Sequence, residues 1–219
     1  MTPTLSDADQ QRIKEAVAAA ETQTAGEIVP YVVGRSGTYD VAVWRGAALA
    51  AVLAMLVAMV VALIYDGWGL GWLYTGWGMV LVALTAGTLG ALAAAYVPAL
   101  MRLLAGDDLL DLAVHRRAMQ AFVEEEVFDT RDRTGILLFI SMLEHRIEVY
   151  GDAGINAKVE QAEWAEVVLR IRKGIVEDRF ADGLVDAIGL CGELLHRRGV
   201  EIRPDDTDEL PDDIRLRDE

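Results

Sequence analysis

The chain of 219 residues contains one cysteine, Cys191, so no disulfide can form within it and no cysteine-based metal cluster can be built. Histidine is almost as scarce. His115, His145 and His196 are scattered, with no His-x-His or His-Glu-x-x-His spacing, which argues against a zinc hydrolase. Positive charge is also short: 20 Lys and Arg stand against 35 Asp and Glu, for a formal net charge of −15. A surface that acidic repels nucleic-acid phosphates, so no nucleic-acid partner is expected. Residues 1–10 carry neither the basic start nor the apolar run of a secretory signal. Insertion into a membrane would then be driven by internal segments. The sequence also lacks a Gly-x-Ser-x-Gly elbow, a P-loop and a dinucleotide fingerprint.

What is abundant is apolar side chain. Hydrophobic residues make up 53% of the chain and the mean hydropathy is +0.26, high for a purely soluble protein. The excess is concentrated in two runs, residues 46–64 and 78–97. Each is long enough to cross a bilayer core of about 30 Å at a rise of about 1.5 Å per residue. Neither contains a charged side chain, which disfavours an ion pathway and hence a transporter or channel subunit. Between the runs lie Trp68, Trp72, Tyr74 and Trp77, rings suited to the headgroup level. Arg35 and Arg45 precede the first run and Arg102, Arg116 and Arg117 follow the second, whereas the connection carries Asp66. The positive-inside rule then predicts cytoplasmic flanks. Ala83, Gly87 and Ala91, and again Gly90 and Ala94, fall four apart and offer a face for close helix packing.

Outside the runs the pattern is that of an α/β fold. Ser6 followed by Asp9 marks a helix start, and Ile13, Ala16, Val17 and Ala20 continue at helical spacing. Gly26 breaks that pattern. Glu27 to Val33 then reads as a strand, with Pro30 confining it to an edge or an irregular position. Leu109, Leu112, Ala113, Met119, Phe122 and Val123 space an amphipathic helix over 108–127. Its acidic run, Glu124 to Glu126, reads as a solvated face or as a contact for a cation or partner. Thr134 to Ser141 is almost continuously apolar, as a strand covered on both faces is, and His145 to Tyr150 alternates polar with apolar. Their short separation predicts an antiparallel hairpin. Helices are expected over 164–176 and 181–197, the second packing Cys191 among Ala187, Ile188, Leu190 and Leu194. The tail from Arg203, with Pro204, Pro211 and acids including Asp205, Asp206, Asp208 and Asp212, is expected to be extended or disordered. The expected organisation is thus an N-terminal domain part over 1–40, a transmembrane hairpin over 41–103, the rest of the domain over 104–200 and an acidic tail over 201–219.

Four short motifs in this order resemble the TPM domain. They are Thr24-Ala25-Gly26-Glu27-Ile28, Arg133-Thr134-Gly135-Ile136-Leu137-Leu138, Arg146-Ile147-Glu148-Val149 with Gly151-Asp152-Ala153-Gly154-Ile155, and Phe180-Ala181-Asp182-Gly183-Leu184. The resemblance implies a small three-layer α/β/α sandwich, here interrupted by the two-helix hairpin. Members of that family include thylakoid-lumen proteins associated with photosystem II repair, an auxiliary subunit of an acetylcholine receptor and bacterial proteins. Acid phosphatase activity and calcium binding have been attributed to some of them. This sequence departs from the common pattern in placing the spans inside the domain instead of after it, and it looks closest to the bacterial membrane-protein branch.

Any chemistry should collect where strand ends meet helix starts, which selects Glu27, Asp152 and Asp182, with Asp178 outside them. Carboxylates of this kind suit a hard cation, calcium or magnesium, although their spacing matches no contiguous metal loop. Arg131, Arg133 and Arg146 are the cations available for phosphoryl oxygens, with ordinary salt bridging as the competing use. Two functions are carried forward. The first is a membrane-anchored accessory or regulatory protein of the bacterial inner membrane, docking on a larger membrane complex, with soluble part and termini cytoplasmic and homo-oligomerisation open. The alternative is a membrane-tethered, divalent-metal-dependent phosphatase.

Overall fold

The computed structural model describes residues 5–65, 69, 71–202 and 209–218, without the side chains of Leu73 and Tyr74. The helices are α1 (Asp7–Glu21), α2 (Asp40–Ile64), α3 (Gly76–Tyr96), α4 (Pro98–Ala105), α5 (Asp107–Glu124), α6 (Ala153–Asn156), α7 (Ala165–Val176) and α8 (Phe180–Arg197). The strands are β1 (Glu27–Val33), β2 (Gly135–Ser141), β3 (Arg146–Gly151) and β4 (Arg215–Arg217). α1 starts as the sequence implied. The Ser6 hydroxyl accepts the Asp9 N–H at 3.1 Å and the Asp9 carboxylate accepts the Ser6 N–H at 3.3 Å, a reciprocal cap for donors the first turn leaves open. Contacts divide the chain into two units, Met1–Gly37 with Leu112–Glu219, and Thr38–Asp111.

The first unit is a mixed sheet in the order β3-β2-β1-β4 with helices on both sides. β1 runs parallel to β2 and to β4, and β2 and β3 form the expected antiparallel hairpin. Successive strand residues point to opposite faces. Ile28, Val32, Ile136, Leu138 and Ile140 therefore join Ile13 and Val17 of α1, Ile171 of α7 and Leu184 and Ile188 of α8. Val29, Tyr31, Val33, Leu137 and Phe139 meet Val114, Ala118 and Ala121 of α5. Every residue of β1 and β2 is buried, so both faces are covered and the strands read as near-continuous apolar runs. Each fully buried large side chain contributes about 1.5–3 kcal/mol of transfer free energy. Pro30 stands opposite Leu138 of β2 and one residue ahead of the ladder to β4, which pairs with Tyr31 to Val33. Its missing N–H therefore costs that second ladder nothing.

Part of the tail takes the extended course, one of the two expected. Residues 215–217 form β4 on the free side of β1. Acid content alone hid an alternation that suits a strand. Ile214 and Leu216 pack against the core, while Arg215 and Arg217 reach the Glu125 carboxylate at 3.1 and 3.3 Å. The acidic run after α5 is thus partly an internal docking point. Pro204, Asp205, Asp206 and Asp208 lie outside the described residues.

The second unit pairs α2 with α3, and both are long and apolar enough to cross a membrane. Small residues set the approach of the two. A Cβ added to Gly90 would stand 2.4 Å from the Gly46 carbonyl oxygen and 2.4 Å from the Ala50 Cβ, and one added to Gly46 would stand 2.8 Å from the Ala94 Cβ. The Gly90 and Ala94 stripe therefore faces α2, as close packing requires. Arg45 donates to the carbonyls of Leu104 at 2.7 Å and Ala105 at 3.0 Å, satisfying acceptors that the end of α4 leaves open. Outward from the pair stand Leu53, Leu63, Ile64, Leu84 and Leu89, all exposed. Trp72 and Trp77 are exposed too, and Trp68 and the Tyr74 side chain lie outside the description.

Candidate functional site

Because β1 runs parallel to β2 while β3 returns antiparallel, the starts of β1 and β2 and the end of β3 meet at one end of the sheet. Glu27 stands in register with Gly135, and the Asp152 N–H donates to the Gly135 carbonyl at 2.9 Å. Glu27 and Asp152 thus flank the first residue of β2, both 7% exposed. The third candidate is not with them. Asp182 lies in the first turn of α8, half of its side chain in solvent, and pairs with Arg12 of α1 at 2.6 Å. Asp178, with a left-handed φ of 55°, sits in the turn before that helix.

Each carboxylate already has protein partners. Glu27 accepts the Glu209 and Leu210 N–H groups at 3.4 and 3.3 Å, which ties the approach to β4 onto the start of β1. Asp152 caps α6 by accepting the Ala153 N–H at 2.7 Å and takes Arg133 in a two-pronged ion pair at 2.5 and 3.0 Å. Arg133, one of the cations available for phosphoryl oxygens, is thereby in the salt bridge that was its competing use. A hard cation needs about 6–8 oxygen ligands converging on one point. Among the described residues no three His, Cys, Asp or Glu side chains gather in that way, so Glu27, Asp152 and Asp182 do not fit a shared calcium or magnesium ion. Asp152→Ala should lower the stability of the first unit by about 1–2 kcal/mol through the lost cap. Millimolar calcium should leave the melting temperatures of wild type and variant unchanged; calcium stabilisation of the wild type that disappears in the variant would restore the metal assignment.

Beside Glu27 the structure places two carboxyl groups that sequence reasoning passed over. Glu21, the last residue of α1, accepts the Ile28 N–H at 2.8 Å, and its carboxyl shares a hydrogen bond with the Asp212 side chain. Asp212 keeps a second oxygen, Oδ1, buried without a hydrogen-bond partner. Burial first, then the Glu27 and Asp212 charges, push the Glu21 carboxyl up to about 9. Glu21 therefore holds a proton at neutral pH, which lets it donate to an acid and accept from a backbone amide at once. No local signal marks the pair, since 190 residues lie between a helix end and a tail acid that β4 and the Glu27 contacts to residues 209 and 210 bring near.

At the opposite end of the sheet Glu144 is fully buried. Its carboxylate accepts the Ser36 N–H at 2.9 Å and the Ser141 hydroxyl, and the two serine hydroxyls stand 2.7 Å apart. Ser141 is 1% exposed, so the network fastens the turn after β1 to the end of β2 rather than presenting a nucleophile. Cys191 lies at 0% exposure among apolar neighbours in α8, and burial pushes its thiol up to about 12. It is packing, as expected.

The family model for the TPM domain matches residues 80–194, more than half of the chain. The chain belongs to the TPM-domain family. The match starts inside α3 and stops within α8, so β1 and β4 of this TPM domain fall outside it, and the Thr24 to Ile28 motif with them. The NMR structure of the BA42 protein from the psychrophilic bacterium Bizionia argentinensis is similar at a TM-score of 0.59, with 20% identity over 98% of this chain and 96% of that one. That likeness concerns the fold. No curated protein matches the chain.

Proposed function

We propose that this TPM-domain protein is a membrane-anchored accessory or regulatory protein, held in a bacterial inner membrane by α2 and α3 and presenting its soluble unit to a larger membrane complex on the cytoplasmic side. The observation that supports it is the outer surface of the second unit. Leu53, Leu63, Leu84 and Leu89 are each at least 60% exposed, on helices without a charge between residues 46 and 97 other than Asp66. Water is a poor solvent for such a surface and lipid a good one. The metal-dependent phosphatase has weaker support, because the candidate carboxylates are occupied by arginine and backbone donors.

Carbonate washing of membranes from expressing cells should leave the full chain in the pellet, and protease should reach the acidic tail in inverted vesicles and not in right-side-out ones. Release by carbonate sinks the anchor, and cleavage from the outer face sinks the orientation. In mild detergent the chain should migrate with a stoichiometric membrane partner. Migration at its own mass removes the accessory role.

A further inference from the structure

β3 is the outer strand of the sheet, and among the described residues no strand pairs with its far side. The Asp152 N–H donates to Gly135 of β2, and hydrogen-bonded pairs alternate along an antiparallel ladder. Tyr150, Glu148 and Arg146 therefore aim their backbone groups at β2, whereas Ile147, Val149 and Gly151 aim theirs outward. The Gly151 carbonyl is taken by the Asn156 side chain at 2.5 Å, which confirms the phase of the alternation. Ile147 and Val149 have no backbone partner on that side among the described residues. Along the same edge runs a groove of about 530 Å³, walled by Trp164, Ala165, Val168 and Leu169. Leu169 is 61% exposed, and the buried indole Nε1 of Trp164 has no hydrogen-bond partner. A long unprotected edge is normally blunted by a proline, a lysine or a covering element. Here the central side chain on the α5 face is Glu148, on a molecule of net charge −15.

We propose that this edge is an interaction surface, and that its occupant is an extended segment of a partner protein with alternating apolar and basic side chains, added as a fifth strand to β3. The segment exchanges backbone hydrogen bonds with Ile147 and Val149. Its apolar side chains enter the groove against Trp164, Val168 and Leu169, and a lysine or arginine on the other face stands across from Glu148. The inference rests on the accessory reading for its biological sense, but its chemistry is local to the sheet edge.

The test uses the full chain in a neutral detergent with three blocked heptapeptides: one alternating valine and lysine, its valine and glutamate counterpart, and a valine and lysine version N-methylated at alternate residues. Hydrogen exchange at Ile147 and Val149 should slow with the lysine peptide and not with the other two. Glu148→Lys should weaken the lysine peptide about tenfold and admit the glutamate peptide, with Glu148→Gln intermediate. An unreactive Cys191 in each variant shows that the fold is kept. Unchanged exchange at the edge overturns the proposal. So does protection without peptide, which marks a second copy as the occupant, and so does equal protection by the N-methylated peptide. Failure here with the chain still resistant to carbonate removes the edge site and leaves the anchor standing; release by carbonate with edge protection intact does the reverse.

Discussion

Replacing Glu21 by glutamine is expected to make the first unit more stable at pH 8 by about 1–3 kcal/mol and to flatten its loss of stability with rising pH. In the folded chain the Glu21 carboxyl is pushed up from 4.5 to about 9, chiefly by burial. A group whose folded value is raised keeps its full contribution below its unfolded value and loses it as pH climbs toward the folded one. The window here runs from about pH 4.5 to about pH 9. An undiminished effect is about 1.4 kcal/mol per pH unit across that window, and partial exposure of the side chain reduces it to the range given. Glutamine reproduces the protonated acid: its oxygen accepts the Ile28 N–H and its amide donates to Asp212, with no proton to lose. Glu21→Ala should destabilise instead, because the Ile28 amide loses its acceptor. The readout is built into the chain. Cys191 is fully buried, so the rate of its modification by a thiol reagent, divided by the rate in denaturant at the same pH, measures opening of the unit. Equal pH slopes for wild type and Glu21→Gln would falsify the assignment.

Gly135→Ala should cost about 3 kcal/mol or more. The turn after α5 passes across the start of β2 so closely that a Cβ on Gly135 would lie 1.8 Å from the Val127 carbonyl oxygen and 2.9 Å from a Val127 methyl carbon. Backbone has to move to relieve that contact, and the same residue lies between Glu27 and Asp152 in the sheet. Gly189→Ala is the matched control. It lies on the exposed face of α8 with nothing within 4 Å of the added carbon, so alanine should stabilise there by about 0.5–1 kcal/mol through helix propensity. Comparable Cys191 protection in the two variants would show that β2 and the turn can separate without loss.

The elements were legible because each carried its own period. The doubly covered β2 was visible as an almost unbroken apolar run, and α1, α5, α7 and α8 were found within a few residues of where they were expected; β1 was visible as a strand, but Pro30 pointed to an edge or irregular position, whereas β1 lies between β2 and β4. The Gly90 and Ala94 stripe was legible for a similar reason, since close helix packing leaves a small-residue spacing. Partnership was harder to read. Parallel pairing of β1 with β2 and with β4 has no local signature, and Arg215 and Arg217 look like ordinary tail charges until Glu125 is placed beneath them. The candidate site failed in one member for the same reason. Glu27 and Asp152 share a sheet end, but Asp182 stands in the first turn of α8, paired with Arg12 of α1, and helix starts in different parts of a fold look alike in sequence. Glu21 was invisible because its perturbation arises chiefly from burial, which only the folded packing sets, with the Glu27 and Asp212 charges adding to it.

The hairpin between β1 and β2 also sets a timetable for biosynthesis. Glu27 leaves the ribosome about a hundred residues before Gly135, its partner in register. At translation rates of about 5–20 residues per second, β1 waits roughly 5–20 s for the strand that will cover it. During that interval a seven-residue apolar segment interrupted by Pro30 is unpaired while the oily helices are still emerging. A mid-strand proline that blocks stray pairing would then guard a nascent chain more than it shapes the finished sheet.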